Sequence, residues 1–262
     1  MGMSTYAAVI AYQGSDYCGW QRQSHAPSIQ ATLEQALSTI ANHPITVFCA
    51  GRTDAGVHAT AQVVHFQSDA DRTCQTWLKG VNAKLPAAIK MRSIDRVNEA
   101  FHARFDAQYR RYNYIIDNHT ISHPYWSDLS LWCPYPLDAS AMNQALTSLI
   151  GEHDFSSFRA AQCQSKTPFR YIEKARCYRH GHFIIVDIQG NAFLHHMVRN
   201  IVGSLIEIGQ GRQSVDWLGW LLTQKDRRQA GKTVEACGLH FVGVGYDQPI
   251  HAHAPVFDWF AS

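Results

Sequence analysis

The sequence lacks any paired-cysteine motif. Cys18, Cys49, Cys74, Cys133, Cys163, Cys177 and Cys237 are scattered, and none stands in a Cys-x-x-Cys pair. An odd, dispersed set argues against a disulfide framework or a zinc site and for a reducing cytoplasm. Long apolar runs are also missing, so no membrane-spanning helix is predicted. The opening residues have no basic stretch followed by an apolar one and a cleavage site, which predicts no secretory leader. Charge of one sign is scarce: Lys and Arg number 23 against 21 Asp and Glu, a net +2 with 15 histidines left neutral. That balance does not announce a nucleic-acid binder, whose basic surface would have to be local. No internal repeat or low-complexity tract interrupts the chain. A hydrophobic content of 46% in 262 residues supports a sizeable core, in one large domain or two small ones.

What is present alternates between strand-like and helix-like patterns. Residues 5–12 read as a strand, followed by a polar loop over 14–23. Ser28 caps a helix reaching Ala41, with Ile29, Leu33, Leu37 and Ile40 on one face. Strands are expected over 45–50, 61–67 and 89–97, and a helix over 72–85 that Pro86 closes. Strand-helix-strand-strand-helix-strand is the split βαβ order of a ferredoxin-like unit. The second half repeats the style. Strands are expected at 108–117 and 239–245, with a hairpin of 171–179 and 182–189 about His180-Gly181. Helices are expected at 139–150, 193–208 and 215–222, the last capped by Ser214. The expected fold class is α+β, two ferredoxin-like halves sharing an extended, mostly antiparallel sheet with helices on one side. The boundary is placed at 105/106, giving halves 1–105 and 106–262. His251 and His253 read as surface residues of a proline-flanked tail.

One stretch concentrates chemistry: Gly51-Arg52-Thr53-Asp54-Ala55-Gly56-Val57-His58, between two expected strands. Asp54 beside a converging arginine would be held ionised, fit to act as nucleophile or base. By itself the stretch reads first as an ordinary turn built of Asp and Gly, ahead of the catalytic reading. Arg22, Arg52, Arg72, Arg104, Arg110, Arg111, Arg159, Lys166, Arg170 and Arg199 recur near Trp20, Phe101, Phe105, Tyr112, Phe158 and Phe169. Arginine beside aromatics in loops suits phosphate pairing and base stacking. Arg110 and Tyr112 fall on one face of a strand, where Tyr112 offers a flat ring. His195, His196 and Arg199 interrupt an apolar helical pattern, with 195 and 199 one turn apart on a shared face. A charged arginine there needs a carboxylate, for which Asp54 is a candidate. Neighbouring helical histidines diverge and no third ligand is spaced nearby, so no metal site is assigned.

The 51–58 stretch, Arg111-Tyr112-Asn113-Tyr114 and Asn191-Ala192-Phe193-Leu194-His195-His196-Met197-Val198-Arg199 together resemble the bacterial TruA-type tRNA pseudouridine synthases. Further matching segments are Tyr17-Cys18-Gly19-Trp20-Gln21-Arg22-Gln23, Phe101-His102-Ala103-Arg104-Phe105 and Phe158-Arg159-Ala160-Ala161-Gln162-Cys163-Gln164-Ser165. The likeness runs from Tyr12 to the last strand.

The resemblance implies an isomerase, an intramolecular transferase that converts uridine to pseudouridine at positions 38, 39 and 40 of the tRNA anticodon arm. The N1–C1′ bond breaks, the uracil turns, and C5 joins C1′. No atoms are gained or lost, so no cofactor or metal is required. By the match Asp54 is the nucleophile, attacking C1′ or C6 or working through a glycal. Arg199 pairs with it, and Tyr112 stacks on the target uracil and takes part in proton transfer. The base must be extruded to be reached, and Arg52 matches the arginine that assists this flipping. Arg72, the loop Phe101, His102, Ala103, Arg104 and Phe105, and the loop Gln162, Cys163, Gln164, Ser165 and Lys166 match tRNA-contacting positions. The implied form is a cytoplasmic homodimer, which fits a net charge of only +2 per chain. Asn113 stands where an arginine is common, putting a peripheral contact in doubt. Two other readings remain: a non-catalytic RNA-binding module, which has no need of Asp54, and a glycosidase, which would need Asp16 or Asp187 as a second carboxylate.

Overall fold

A computed structural model describes residues 2–248 and residue 250, so His251 and His253 lie outside the described residues. The chain divides into two compact units: Met1–Arg110 with the segment from Phe241 onward, and Arg111–His240. The break thus falls a few residues after the expected 105/106, and nothing in the sequence pattern marks the return of the chain after His240.

The first unit is built on β1 (Ser4–Tyr12), α1 (Ile29–Ala41), β2 (Phe48–Cys49), β3 (His58–Ser68), α2 (Cys74–Lys84) and β4 (Ile89–Val97). Strand β1 pairs antiparallel with both β3 and β4 and is buried along nearly its whole length, in keeping with its apolar run from Tyr6 to Tyr12. The Ser28 hydroxyl accepts the Ala31 N–H and starts α1, whose Ile29, Leu33 and Leu37 are buried. Thr73 caps α2 in the same way, and Trp77 of that helix packs edge-on against Phe66. The strand expected over 45–50 shrinks to Phe48–Cys49. Its first N–H groups go elsewhere: Ile45 N–H to the Ser38 hydroxyl at 2.8 Å and Val47 N–H to the Glu34 carboxylate at 2.9 Å.

The second unit holds β5 (Tyr109–Asp117), β6 (Leu131–Trp132), α3 (Ala139–Leu146), β7 (Gly151–Asp154), β8 (Phe169–His180), β9 (Phe183–Gly190), α4 (Met197–Gly209) and α5 (Trp217–Gln224). Its strands run in the order β5-β9-β8-β7, with β6 parallel on β5. The antiparallel β8–β9 pairing is the expected hairpin. A last strand, β10 (Leu239–Gly245), starts in this unit and continues into the first beside β3. The α3 helix stops at Leu146 and tightens into a 3₁₀ turn over Thr147–Leu149. α5 starts at Trp217 behind Asp216 rather than behind Ser214.

The largest departure is at α4, expected from residue 193 and observed from Met197. His196 sits before it at φ 61, in the left-handed region that ends helical geometry in an L-residue. The backbone ahead of it is committed elsewhere: the His195 carbonyl accepts the Ala160 N–H at 3.1 Å, and the His195 N–H points to Cys163 Sγ at 3.4 Å. His195 and Arg199 are therefore not one turn apart on a helix. The two histidines do not diverge either, since their ring centroids lie 4.0 Å apart. Among the described residues no helix is long and apolar enough to cross a membrane, and all seven cysteines are free thiols.

Candidate active site

The loop carrying Asp54 is fastened on several sides within the first unit. Buried Gln62 of β3 donates to the Gly51 carbonyl at 2.6 Å and accepts the Gly51 N–H at 3.4 Å. Buried Thr53 has its hydroxyl 2.8 Å from the Tyr12 phenol at the end of β1. The Thr53 carbonyl accepts the Trp20 N–H at 3.0 Å, and the Asp54 carbonyl accepts the Val57 N–H at 3.2 Å. His58 Nδ1 accepts the Gly14 N–H at 3.1 Å. Two glycines make this clasp sterically possible. A Cβ on Gly14 would stand 2.0 Å from the Val57 carbonyl oxygen. One on Gly19, at φ 87, would stand 2.8 Å from that of Thr53. The 14–20 segment is thus the mould of the aspartate loop. The Asp54 backbone is fixed while its side chain is only half-buried, and neighbouring Arg52 is exposed. Sequence reasoning passed over Tyr12, Gln62, Gly14 and Gly19. Their spacing in the chain carries no signal, since strand pairing and loop-to-loop contacts bring them to the aspartate loop.

The 101–107 loop of the same unit is equally well held. His65 Nδ1 accepts the Ala103 N–H at 3.1 Å, and His102 Nδ1 accepts those of Arg104 and Phe105 at 3.2 and 3.3 Å. Tyr246 donates to the Ala103 carbonyl at 2.6 Å. The Arg110 guanidinium donates to Ala50 at 3.1 Å, Ala107 at 3.0 Å and Arg104 at 2.5 Å, all carbonyls. It ties this loop to the residue that precedes Gly51. Of the five residues, Phe101 and Ala103 are buried, His102 is intermediate, and Arg104 and Phe105 are exposed. Arg72 stands apart from Asp54. It precedes α2 and donates to the Asp71 carbonyl at 3.1 Å, beyond the far end of β3, whose 11 residues span roughly 35 Å.

In the second unit, Tyr112 of β5 is 8% exposed and meets Phe193 edge-to-face, centroids 5.0 Å apart. Arg199, in the first turn of α4, donates from Nε to the Val234 carbonyl at 2.8 Å. Buried Asn200 braces that turn, donating to the Phe158 carbonyl at 2.8 Å and accepting from Thr233 at 2.6 Å. The 162–166 loop is shaped by two inward arginines. Arg159 donates to the Cys163 and Ser165 carbonyls at 2.8 Å each, and Arg170 donates to the Ser165 hydroxyl at 2.5 Å. Gln162, Gln164 and Lys166 stay exposed. Burial alone would raise the Cys163 thiol. N–H bonds from His195 and Ser165 and the Arg159 charge outweigh that and bring it below its ordinary value. Arg111 and Arg176 both bind buried Asp187, at 2.7 and 2.8 Å. Arg110, Arg111, Arg159 and Arg170 thus each bind protein groups. Asn113 is buried as well, so the departure there falls inside the unit and not on its surface.

Comparison with known proteins adds a separate line. The tRNA pseudouridine synthase family model matches residues 8–106 and 145–247. The chain is 54% identical to a tRNA pseudouridine synthase A of Francisella tularensis subsp. novicida over 246 residues, 94% of this chain and 95% of that protein. It is likewise 54% identical, at the same coverage, to one of Francisella philomiragia subsp. philomiragia.

Proposed function

The chain belongs to the tRNA pseudouridine synthase family, and from that premise we propose that it isomerises uridine to pseudouridine at positions 38, 39 and 40 of the tRNA anticodon arm, with Asp54 as nucleophile. The observation that carries the role of Asp54 is the mould around its loop. Gln62, Tyr12 and the Gly14 and Gly19 contacts fix the backbone and leave a half-buried carboxylate. A turn that only joined two strands would have no need of that many long-range restraints. Such preorganisation is what a covalent step demands of its nucleophile.

The remaining roles follow the resemblance. Arg199, anchored through Val234, pairs with Asp54. Tyr112, braced by Phe193, supplies the flat ring for the uracil. Arg52, exposed beside Asp54, acts on the RNA and helps extrude the base. In the reaction N1 gains a proton, C5 loses one, and the C1′ bond passes from N1 to C5, so the product is an isomer of the substrate. The tRNA also meets the exposed side chains of the 101–105 and 162–166 loops, and the working form is a cytoplasmic homodimer.

A glycosidase reading loses one of its two candidate second carboxylates, because Asp187 is buried and held by two arginines. The test is to incubate the purified protein with unmodified tRNA and map pseudouridine by carbodiimide-dependent primer extension. Stops at 38–40 are expected. Modification confined to other positions, or none, would overturn the assignment.

A further inference from the structure

On the first unit, Thr46, Phe48, His65, Gln67, Glu99 and His102 line an open pocket of about 340 Å³, in which His102 belongs to the loop given to tRNA above and Phe48 has been given no role. Its wall is a row of rings. Phe48 stacks on His65 with centroids 5.1 Å apart and planes at 20°, His65 lies 4.5 Å from His102, and His102 stacks on Phe105 at 4.2 Å. Phe48 is 50% exposed and Phe105 74% exposed. Ring surface of this size left in water marks a binding site more often than a folding need.

Both histidines in the row accept N–H groups at Nδ1. His65 takes the Ala103 N–H, and burial and the neighbouring His102 bring its pKa down to about 4. His102 takes two N–H groups. The row is flat, and its loop is already ordered, so little conformational freedom is lost when a ligand docks. Thr46, Gln67 and Glu99 add donors and acceptors at the rim. A flat apolar face with polar groups at its edge matches a nucleobase.

Given that the substrate is RNA, as argued above, we propose that this pocket is a second nucleobase site. It takes an unpaired base of the bound tRNA, other than the base being isomerised, stacked against the exposed face of Phe48.

The experiment titrates the full-length protein with unmodified tRNA transcript and with transcripts carrying 2-aminopurine at single unpaired positions. Phe48→Ala is expected to weaken binding about tenfold and leave the single-turnover rate at saturating enzyme unchanged. Phe48→Trp restores binding, whereas Phe48→Leu, apolar but not flat, does not. One 2-aminopurine position is quenched by the wild-type protein and not by Phe48→Ala. Wild-type affinity and quenching in Phe48→Ala overturn the proposal, as does full binding by Phe48→Leu. A wild-type protein that forms no pseudouridine would instead overturn the assigned reaction, and the quenching would still decide the pocket.

Discussion

Tyr12 and Thr53 show what a single contact does for the site. Burial drives the Tyr12 phenol far above its ordinary range, so it acts as a neutral hydrogen-bond partner and not as an acid or base. Tyr12→Phe leaves a buried hydroxyl short of its partner, which should cost about 1–2 kcal/mol in denaturant unfolding. Turnover should fall more than tRNA affinity, because the loop loosens next to Asp54. Gly19→Ala is the steric counterpart. It asks an L-residue to hold φ 87 with a Cβ 2.8 Å from a backbone oxygen, and should cost about 1–3 kcal/mol. Arg52→Ala removes an exposed side chain and should leave stability unchanged. A fall in turnover larger than the fall in affinity supports its flipping role, and a purely binding defect contradicts it.

At the scale of elements, the 162–166 loop offers a chemical probe. Its Cys163 thiol is lowered, whereas burial pushes Cys49 and Cys177 up to about 12 and Cys237 up to about 11. More thiolate at a given pH means faster alkylation. Peptide mass mapping after brief iodoacetamide treatment should find Cys163 labelled ahead of those three, and bound tRNA should slow its labelling if the loop is a contact. The loop also marks where sequence reasoning stopped. Strands and helices set by local pattern, such as β4 at Ile89–Val97 and α1 behind Ser28, were legible. β2 and the start of α4 were not. In each, side chains or distant backbone claim N–H and C=O groups that the local pattern assigns to a strand or helix. Asp54, Arg199 and Tyr112 were found through resemblance. The residues that brace their segments, Gln62, Asn200 and the Gly14–Gly19 clasp, become visible only when strands and loops are paired.

For the whole molecule, a net charge of +2 is small for a protein that holds tRNA. The structure turns Arg110, Arg111, Arg159 and Arg170 inward, which thins the basic surface further. A homodimer would pool two such surfaces on one RNA. Sedimentation at working concentration should give twice the 29.5 kDa chain mass. The logarithm of tRNA affinity should fall linearly with the logarithm of salt, with a slope set by the phosphates neutralised. The central claim is that Asp54 performs the chemistry while the rest of the molecule positions RNA against it. It is tested most directly by Asp54→Ala under single-turnover conditions, with tRNA binding measured on the same preparation. The account predicts wild-type affinity and a rate reduced by about ten thousandfold or more. Pseudouridine formed at a rate near that of the wild type, by a variant that binds tRNA normally, would contradict it.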